Sequence, residues 1–344
     1  MSGTIVLYSH LVFAGEGETP VGKPTGRPFE TSSSHAISSV TQHIRTEARM
    51  DSCRSVVVLL LLALLSVVSV TAPNFQVRSI TVASATDGPT EDEAMEAASV
   101  LKEDGVVVIK CSALSTLAPP SENAKDILAS MISRVDKCGI NHDHPFSFAE
   151  ICHRAPRRYD VHLGAGLSES EFSMLVNSLV RPVLALLGVG DGSPVNSAPA
   201  RIVRDGLVTS LPGASAQPFH ADGQDGRLFN AFLPLVAVRT QGTEFWLGSH
   251  TDELAAQRLK RQGSGEYIGE TILEDGDIAP RICSPILCRA EGIVLFDYRV
   301  IHRGRAHGAH EAGIRPVFYR VYATHGAEED SHNWPKKSLA DYGA

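Results

Sequence analysis

The stretch Gln217-Pro218-Phe219-His220-Ala221-Asp222-Gly223 decides how the rest of the chain is read. It begins just past a turn-forming Pro212-Gly213 and ends on a glycine. In extended backbone, positions i and i+2 project from the same face, so one imidazole and one carboxylate could converge on a single ion. A second histidine, His302, lies far downstream, just past the apolar run Gly292-Ile293-Val294-Leu295-Phe296-Asp297-Tyr298. Two histidines and one carboxylate, with the remaining coordination positions open, are the donor set of non-haem Fe(II) oxygenases. An isolated His-x-Asp is weak evidence in a chain with 14 histidines, because most such pairs are solvated turn residues. Its weight comes from its surroundings.

From Pro199 onward the sequence reads as short strands separated by turns. The candidates are Ala200–Thr209, Leu228–Val238, Gly242–Leu247, Gly292–Tyr298 and Arg315–Tyr322. Several alternate apolar with polar residues, and Gly or Pro punctuates them, which is the pattern of a sandwich or jelly roll. No G-x-G-x-x-G opens a helix, so a dinucleotide fold is unsupported. No internal repeat of fixed period is visible. In a jelly roll, the His-x-Asp strand end and a late strand end can lie side by side at the barrel mouth. That gives His220, Asp222 and His302 a physical reason to meet. Arg315 then opens the strand Arg315-Pro316-Val317-Phe318-Tyr319-Arg320-Val321-Tyr322. A guanidinium aimed into a barrel is costly unless it grips a carboxylate, and a dicarboxylic 2-oxo acid bound to the metal would supply one.

At this point an ordered series of motifs resembles the phytanoyl-CoA dioxygenase family. It comprises Gln217 to Gly223, Phe232-Leu233-Pro234-Leu235, Thr243-Glu244-Phe245-Trp246-Leu247-Gly248-Ser249-His250, Leu295-Phe296-Asp297-Tyr298 through His302-Arg303-Gly304, and Arg315-Pro316-Val317-Phe318-Tyr319. The resemblance spans residues 95 to 340. It implies a mainly β protein with a helical flank and a double-stranded β-helix (jelly roll, cupin-like) that uses Fe(II), 2-oxoglutarate and O2, with ascorbate as a supporting reductant. It further implies that His220, Asp222 and His302 bind iron, that Arg315 grips the distal carboxylate of 2-oxoglutarate, and that Gln217 also touches that cosubstrate. The reaction implied is hydroxylation of a small organic substrate with release of succinate and CO2. Iron halogenases of similar fold lack the carboxylate ligand, so Asp222 favours hydroxylation. Two departures from the family pattern stand out. The His307-Gly308-Ala309-His310 insert lengthens the gap between His302 and Arg315, leaving Arg320 as the fallback cation on the opposite face of the strand. Leu247 replaces the usual proline before Gly248-Ser249-His250.

Other residues compete for attention. His250 is a tempting false ligand and reads as a hydrogen-bonded structural histidine. His307 and His310, in a Gly/Ala loop, read as solvated. Arg157, Arg158 and Tyr159 could reach a carboxylate or phosphate on a substrate, but the basic clusters Arg154–Arg158 and Lys260-Arg261 read first as solvated surface. Two other readings stay open: a jelly-roll metal isomerase or hydrolase that needs no 2-oxo acid, and a non-catalytic module that binds a small ligand. Only the oxygenase needs Arg315. Substrate identity and oligomeric state are not written in the sequence.

With 344 residues, 43% hydrophobic and 20% charged, the chain is an ordinary globular protein with material for a sizeable core. A net charge of −8 disfavours binding to a phosphate backbone, so no nucleic-acid partner is expected. The six cysteines form no C-x-x-C pair, which removes zinc ribbons and thioredoxin-type motifs. Cys283 and Cys288 flank Pro285 and are either bridged or simply buried.

The N-terminal half divides by composition. Residues 1–49, rich in Ser, Thr, Gly and Pro, are expected to be a disordered extension. Residues 50–87 hold a hydrophobic leader and linker: the run 56–72 carries no charge and is short for a membrane span. Its preceding Met50-Asp51-Ser52-Cys53-Arg54 and following Val70-Thr71-Ala72 suit a signal peptide starting at Met50, although Pro73 follows directly, or an uncleaved anchor associating with membrane. Residues 88–198 read as a mainly helical flank, with capping boxes at Thr90/Glu93 and Ser168/Glu171 and a β-branched strand at Val106–Ile109. Residues 199–344 are the double-stranded β-helix core. If the 56–72 run is a targeting signal, a reporter fused to residues 50–85 enters the secretory pathway or membranes. A reporter that stays cytosolic excludes that role.

Overall fold

A computed structural model describes residues 76–83, 88–119, 121–142, 144–163, 170–187, 200–238, 242–251, 281–287, 289–325, 327 and 337–343. The hydrophobic run 56–72, the N-terminal extension, Cys288 and Lys260-Arg261 lie outside these residues. Among the described residues, no helix is long and apolar enough to cross a membrane.

Local signals set the N-terminal elements. Helix α1 (Glu91–Asp104) starts at Thr90, whose side chain accepts from the Glu93 amide at 3.3 Å while the Glu93 carboxylate accepts from the Thr90 amide at 2.7 Å. It stops at Gly105, which adopts the left-handed φ of 75° that ends helices cheaply only in glycine. Helices α2 (Ser112–Leu117) and α3 (Ser121–Lys137) follow. Helix α4 (Glu171–Ala185) is capped by Ser170, whose side chain accepts from the Ser173 amide at 3.1 Å; the expected cap Ser168 lies outside the described residues.

The strands are β1 (Ser79–Thr81), β2 (Val106–Lys110), β3 (Ile151–Ala155), β4 (Arg158–His162), β5 (Arg201–Ser210), β6 (Leu228–Pro234), β7 (Thr243–Trp246), β8 (Ile282–Cys283), β9 (Gly292–Asp297), β10 (His302–Gly304) and β11 (Arg315–Ala323). They form two sheets. The large one has the order β1-β2-β9-β6-β11-β5-β4-β3, antiparallel except for the β1–β2 pair. The small one has the order β10-β7-β8 and is antiparallel throughout. This is the jelly-roll, cupin-like architecture. The segment 88–198 holds all four helices named above and also lends β2, β3 and β4 to the large sheet.

Side-chain alternation gives the large sheet two different faces. Its outer face carries Ile109, Ile293, Leu295, Leu233 and Phe318, packed against α1 and α4 through Leu101, Leu179 and Val183. Its inner face carries Val106, Val108, Val294 and Phe296, which meet Phe245, Leu247 and Cys283 from the small-sheet side. Cys283 is a buried free thiol. Strand β9 is buried on both faces, which is why it is a continuous apolar run.

Arg320 is one of the largest fully buried side chains and lies on the outer face. Its guanidinium grips Asp205 of the neighbouring β5 with Nε–Oδ1 and Nη2–Oδ2 both at 2.7 Å, and Nη1 donates to Asn177 of α4 at 3.1 Å. A bidentate pair at this depth is held by matched geometry on both partners. Asp205→Ala should therefore destabilise the fold by about 3–5 kcal/mol in urea unfolding, by stranding a buried cation, whereas replacing both partners with apolar residues should lose less.

Candidate metal centre

His220 and His302 meet through their backbones. Each amide donates to the other's carbonyl, at 2.9 Å and 2.8 Å, forming an isolated antiparallel bridge between the β5–β6 connection and the start of β10. The chain then turns, so Asp222 is placed by its own contact: its amide and that of Gly223 both donate to the Tyr298 carbonyl, at 3.0 Å and 3.2 Å. One ligand-competent atom from each of His220, Asp222 and His302 lies within 4.8 Å of the others. His220 Nε2 is 3.9 Å from Asp222 Oδ1, and His302 Nε2 is 3.7 Å from Asp222 Oδ2.

Both rings are prepared for a metal in the same way. His220 Nδ1 donates to the Pro218 carbonyl at 2.9 Å, and His302 Nδ1 donates to the Val300 carbonyl at 3.0 Å. A carbonyl only accepts, so the proton sits on Nδ1 and the Nε2 lone pair faces the carboxylate. Burial, reinforced by the adjacent His302, pushes the His220 imidazole down to about 4, keeping it neutral at physiological pH. His302 is buried, with Phe245 stacked on its ring at 5.8 Å and Phe296 edge-on at 5.0 Å. Asn230 of β6 donates to Asp222 Oδ2 at 2.5 Å, orienting the carboxylate. Two imidazoles with Nδ1 tied to carbonyls and an oriented carboxylate suit a divalent transition metal such as Fe(II).

The three donors open into a cavity of about 160 Å³ between the sheets. Its polar residues gather in two places. On one side Arg154 donates to Asp160 from Nε and Nη2, at 3.1 Å and 2.9 Å, while the Tyr319 hydroxyl donates to the other Asp160 oxygen at 2.9 Å. Burial raises the Asp160 carboxyl above its usual range despite Arg154, and raises the Tyr319 phenol well above its own. Elsewhere Arg315, Arg158 and Gln217 line the wall. Gln217 Oε1 accepts from Arg158 Nη1 at 3.3 Å and from the Gly304 amide at 3.1 Å.

The structure thus brings His220, Asp222, His302, Arg315 and Gln217 to one cavity. Arg320 is not the alternative cation, because its bidentate partner Asp205 holds it on the far side of the sheet. His250 is no part of the centre: its Nε2 donates to the Lys102 carbonyl at 3.1 Å. His307 is buried, not solvated. Its backbone exchanges hydrogen bonds with Gly213 and Ala214, at 2.8 Å and 2.9 Å, and its Nε2 donates to the Gly313 carbonyl at 3.0 Å. The cluster Arg154–Arg158 is likewise not a solvated face. Arg154 and Arg158 line the cavity, Tyr159 is buried against His153, and only Arg157, at a φ of 61° in the β3–β4 hairpin, points away to the Pro212 carbonyl. The signal missed in the sequence was alternation: Arg158 and Asp160 share a face because they are two residues apart in a strand.

No protein-family model and no curated protein matches the chain. Among solved structures it is similar to the non-haem alpha-ketoglutarate-dependent epimerase SnoN from nogalamycin biosynthesis, at 13% identity over 68% of this chain and 82% of that one, with a TM-score of 0.41. It is similar to HygX of Streptomyces hygroscopicus, solved with nickel and 2-oxoglutarate bound, at 13% identity over 68% and 88% of the two chains, with a TM-score of 0.43. It is also similar to AviO1 of Streptomyces viridochromogenes, at 19% identity over 68% and 96%, with a TM-score of 0.39.

Because Asn230 fixes the carboxylate that completes the donor set, Asn230→Ala should weaken metal binding by about tenfold to a hundredfold in a chelator competition. Unchanged affinity would remove Asn230 from the site.

Proposed function

We propose that this chain is an Fe(II)- and 2-oxoglutarate-dependent dioxygenase, similar to the phytanoyl-CoA dioxygenases, that hydroxylates a small organic substrate. The observation that carries the reading is one cavity holding both the three converging donors and a buried guanidinium, Arg315, with no ion-pair partner among the described residues. A metal site alone fits many reactions. A metal site facing a buried cation calls for a ligand with a chelating end and an anionic end, which describes 2-oxoglutarate.

Each residue then has a task. His220 and His302 offer their Nε2 atoms and Asp222 one oxygen, leaving the cavity side of the metal open. Bound Fe(II), with 2-oxoglutarate and dioxygen, would supply the oxidative chemistry that releases succinate and CO2. Arg315 receives the distal carboxylate of the cosubstrate. Gln217 holds the wall beside it, through the contacts it makes to Arg158 and Gly304. Val208, Val317 and Phe232 make the intervening wall apolar and exclude water. Arg154, Asp160 and Tyr319 form the polar surface available to the substrate. A jelly-roll isomerase or hydrolase could use the same three donors, but it would leave Arg315 without a task.

The test is succinate and CO2 release by the purified protein with Fe(II), 2-oxoglutarate and ascorbate in air. A slow turnover that Asp222→Ala and Arg315→Ala each abolish supports the reading. No turnover, with no change in metal-site spectra on adding 2-oxoglutarate, would overturn it.

A further inference from the structure

Strands β4, β5 and β11 run side by side, and their register sets Arg158 opposite Ser210 and Ser210 opposite Arg315. Residues in register on neighbouring strands share a face, so this row presents two arginines flanking a serine to the cavity. Only 2% of Arg158 and 4% of Arg315 is exposed. Both guanidiniums converge on one oxygen: the Nη2 atoms each donate to the Arg305 carbonyl at 2.7 Å. Their other partners are equally neutral. Arg158 donates to the Ser215 carbonyl at 2.9 Å and to Gln217 Oε1, and Arg315 donates to the Ala306 carbonyl and Ser210 Oγ, each at 3.3 Å. Arg158 Nε is buried and meets no acceptor.

Among the described residues, neither arginine forms an ion pair. Glu311, the acidic group that acts on Arg315, instead accepts from the Gly308 amide. Burial lowers both guanidiniums to about 10, the Arg315 charge adding to the effect on Arg158, yet both stay cationic at neutral pH. Two neighbouring buried cations with only neutral acceptors are unfavourable until an anion joins them. The space is reserved for this arrangement: a Cβ on Gly304 would come within 1.9 Å of Arg158 Nη1.

We propose that Arg158 and Arg315 form a two-guanidinium clamp on a single carboxylate, the distal carboxylate of 2-oxoglutarate. The proposal rests on the cosubstrate assigned above and adds a second cation to its site. It also concerns the product. Decarboxylation removes C1 as CO2 and turns the keto carbon into a new carboxyl with one oxygen from O2, while the distal carboxylate is untouched. Succinate therefore keeps the group that the clamp holds, and it competes with 2-oxoglutarate for the same two arginines. A 2-oxo acid lacking the second carboxylate forfeits both contacts.

The test uses full-length, Fe(II)-loaded protein without oxygen, titrated with 2-oxoglutarate and with succinate. Arg158→Met should weaken both acids by the same factor, about tenfold to a hundredfold, the worth of a charge-assisted hydrogen bond. Arg158→Lys should recover part of the loss. Without ligand, Arg158→Met should unfold at the wild-type temperature or above, since it removes a buried cation that lacks an anion. If Arg158→Met binds both acids like the wild type, or loses 2-oxoglutarate while keeping succinate, the clamp is wrong although the cosubstrate stands. If Arg158→Met unfolds, Arg158→Lys decides alone, and wild-type affinity in it for 2-oxoglutarate, succinate and 2-oxobutyrate alike overturns the clamp. Wild-type protein that binds neither acid overturns the cosubstrate reading itself.

Discussion

The reciprocal hydrogen bonds between the backbones of His220 and His302 are the constraint on which the rest of the molecule depends. They join a connection leaving the large sheet to the first residue of β10 in the small one. A bridge of two backbone bonds is weak alone, so its permanence comes from what fixes each side. His302 is locked among Phe245, Phe296 and Phe232, and its own strand pairs with β7. The segment around His220 is tied again at Gln217, whose amide donates to the Gly304 carbonyl at 2.9 Å, and at Asp222, whose amide reaches Tyr298. A site built this way needs both sheets formed before all three donors are at ligand distance.

Polarity inside the cavity follows the registers of the large sheet. Moving along the inner face, the row Arg158–Ser210–Arg315 gives way to Asp160–Val208–Val317–Pro234 and then to Gly206–Tyr319–Phe232–Val294. The two arginines thus sit in the first row, and Asp160 sits in the next, beside the aliphatic Val208 and Val317. The outer face of the same strands is mostly apolar, with the Arg320–Asp205 pair set into it, which is why helices cover it.

Much of this was legible in the sequence. The strands from residue 200 onward announced themselves through β-branched runs and turn residues, and the ends of β9 and β11 agree with the sequence to within about a residue. The convergence of the three donors was legible because His-x-Asp follows a turn closing one strand and His302 follows the apolar run of another. The hairpin β3–β4 was hidden. Its residues Arg154, Arg158 and Asp160 face the cavity, so the alternation that marks a strand carried charge where apolar side chains are expected. His307 was hidden for a related reason: a Gly/Ala loop looks solvated, and only the backbone contacts to Gly213 and Ala214 bury it. That Ser170 caps α4 is a matter of one serine among several that local pattern cannot decide.

Strand β11 serves two masters. Arg315, Val317, Tyr319 and Val321 look into the cavity, while Phe318 and Arg320 look into the core beneath the helices. Adding or deleting one residue within it would exchange the two sets, sending Arg320 toward the His220–Asp222–His302 cluster and stranding Tyr319 among leucines. A change of chain length would therefore cost far less in the connection before the strand than within it. His307 lies in that connection, where its backbone bonds to Gly213 and Ala214 anchor the path that leads Arg315 into register with Ser210.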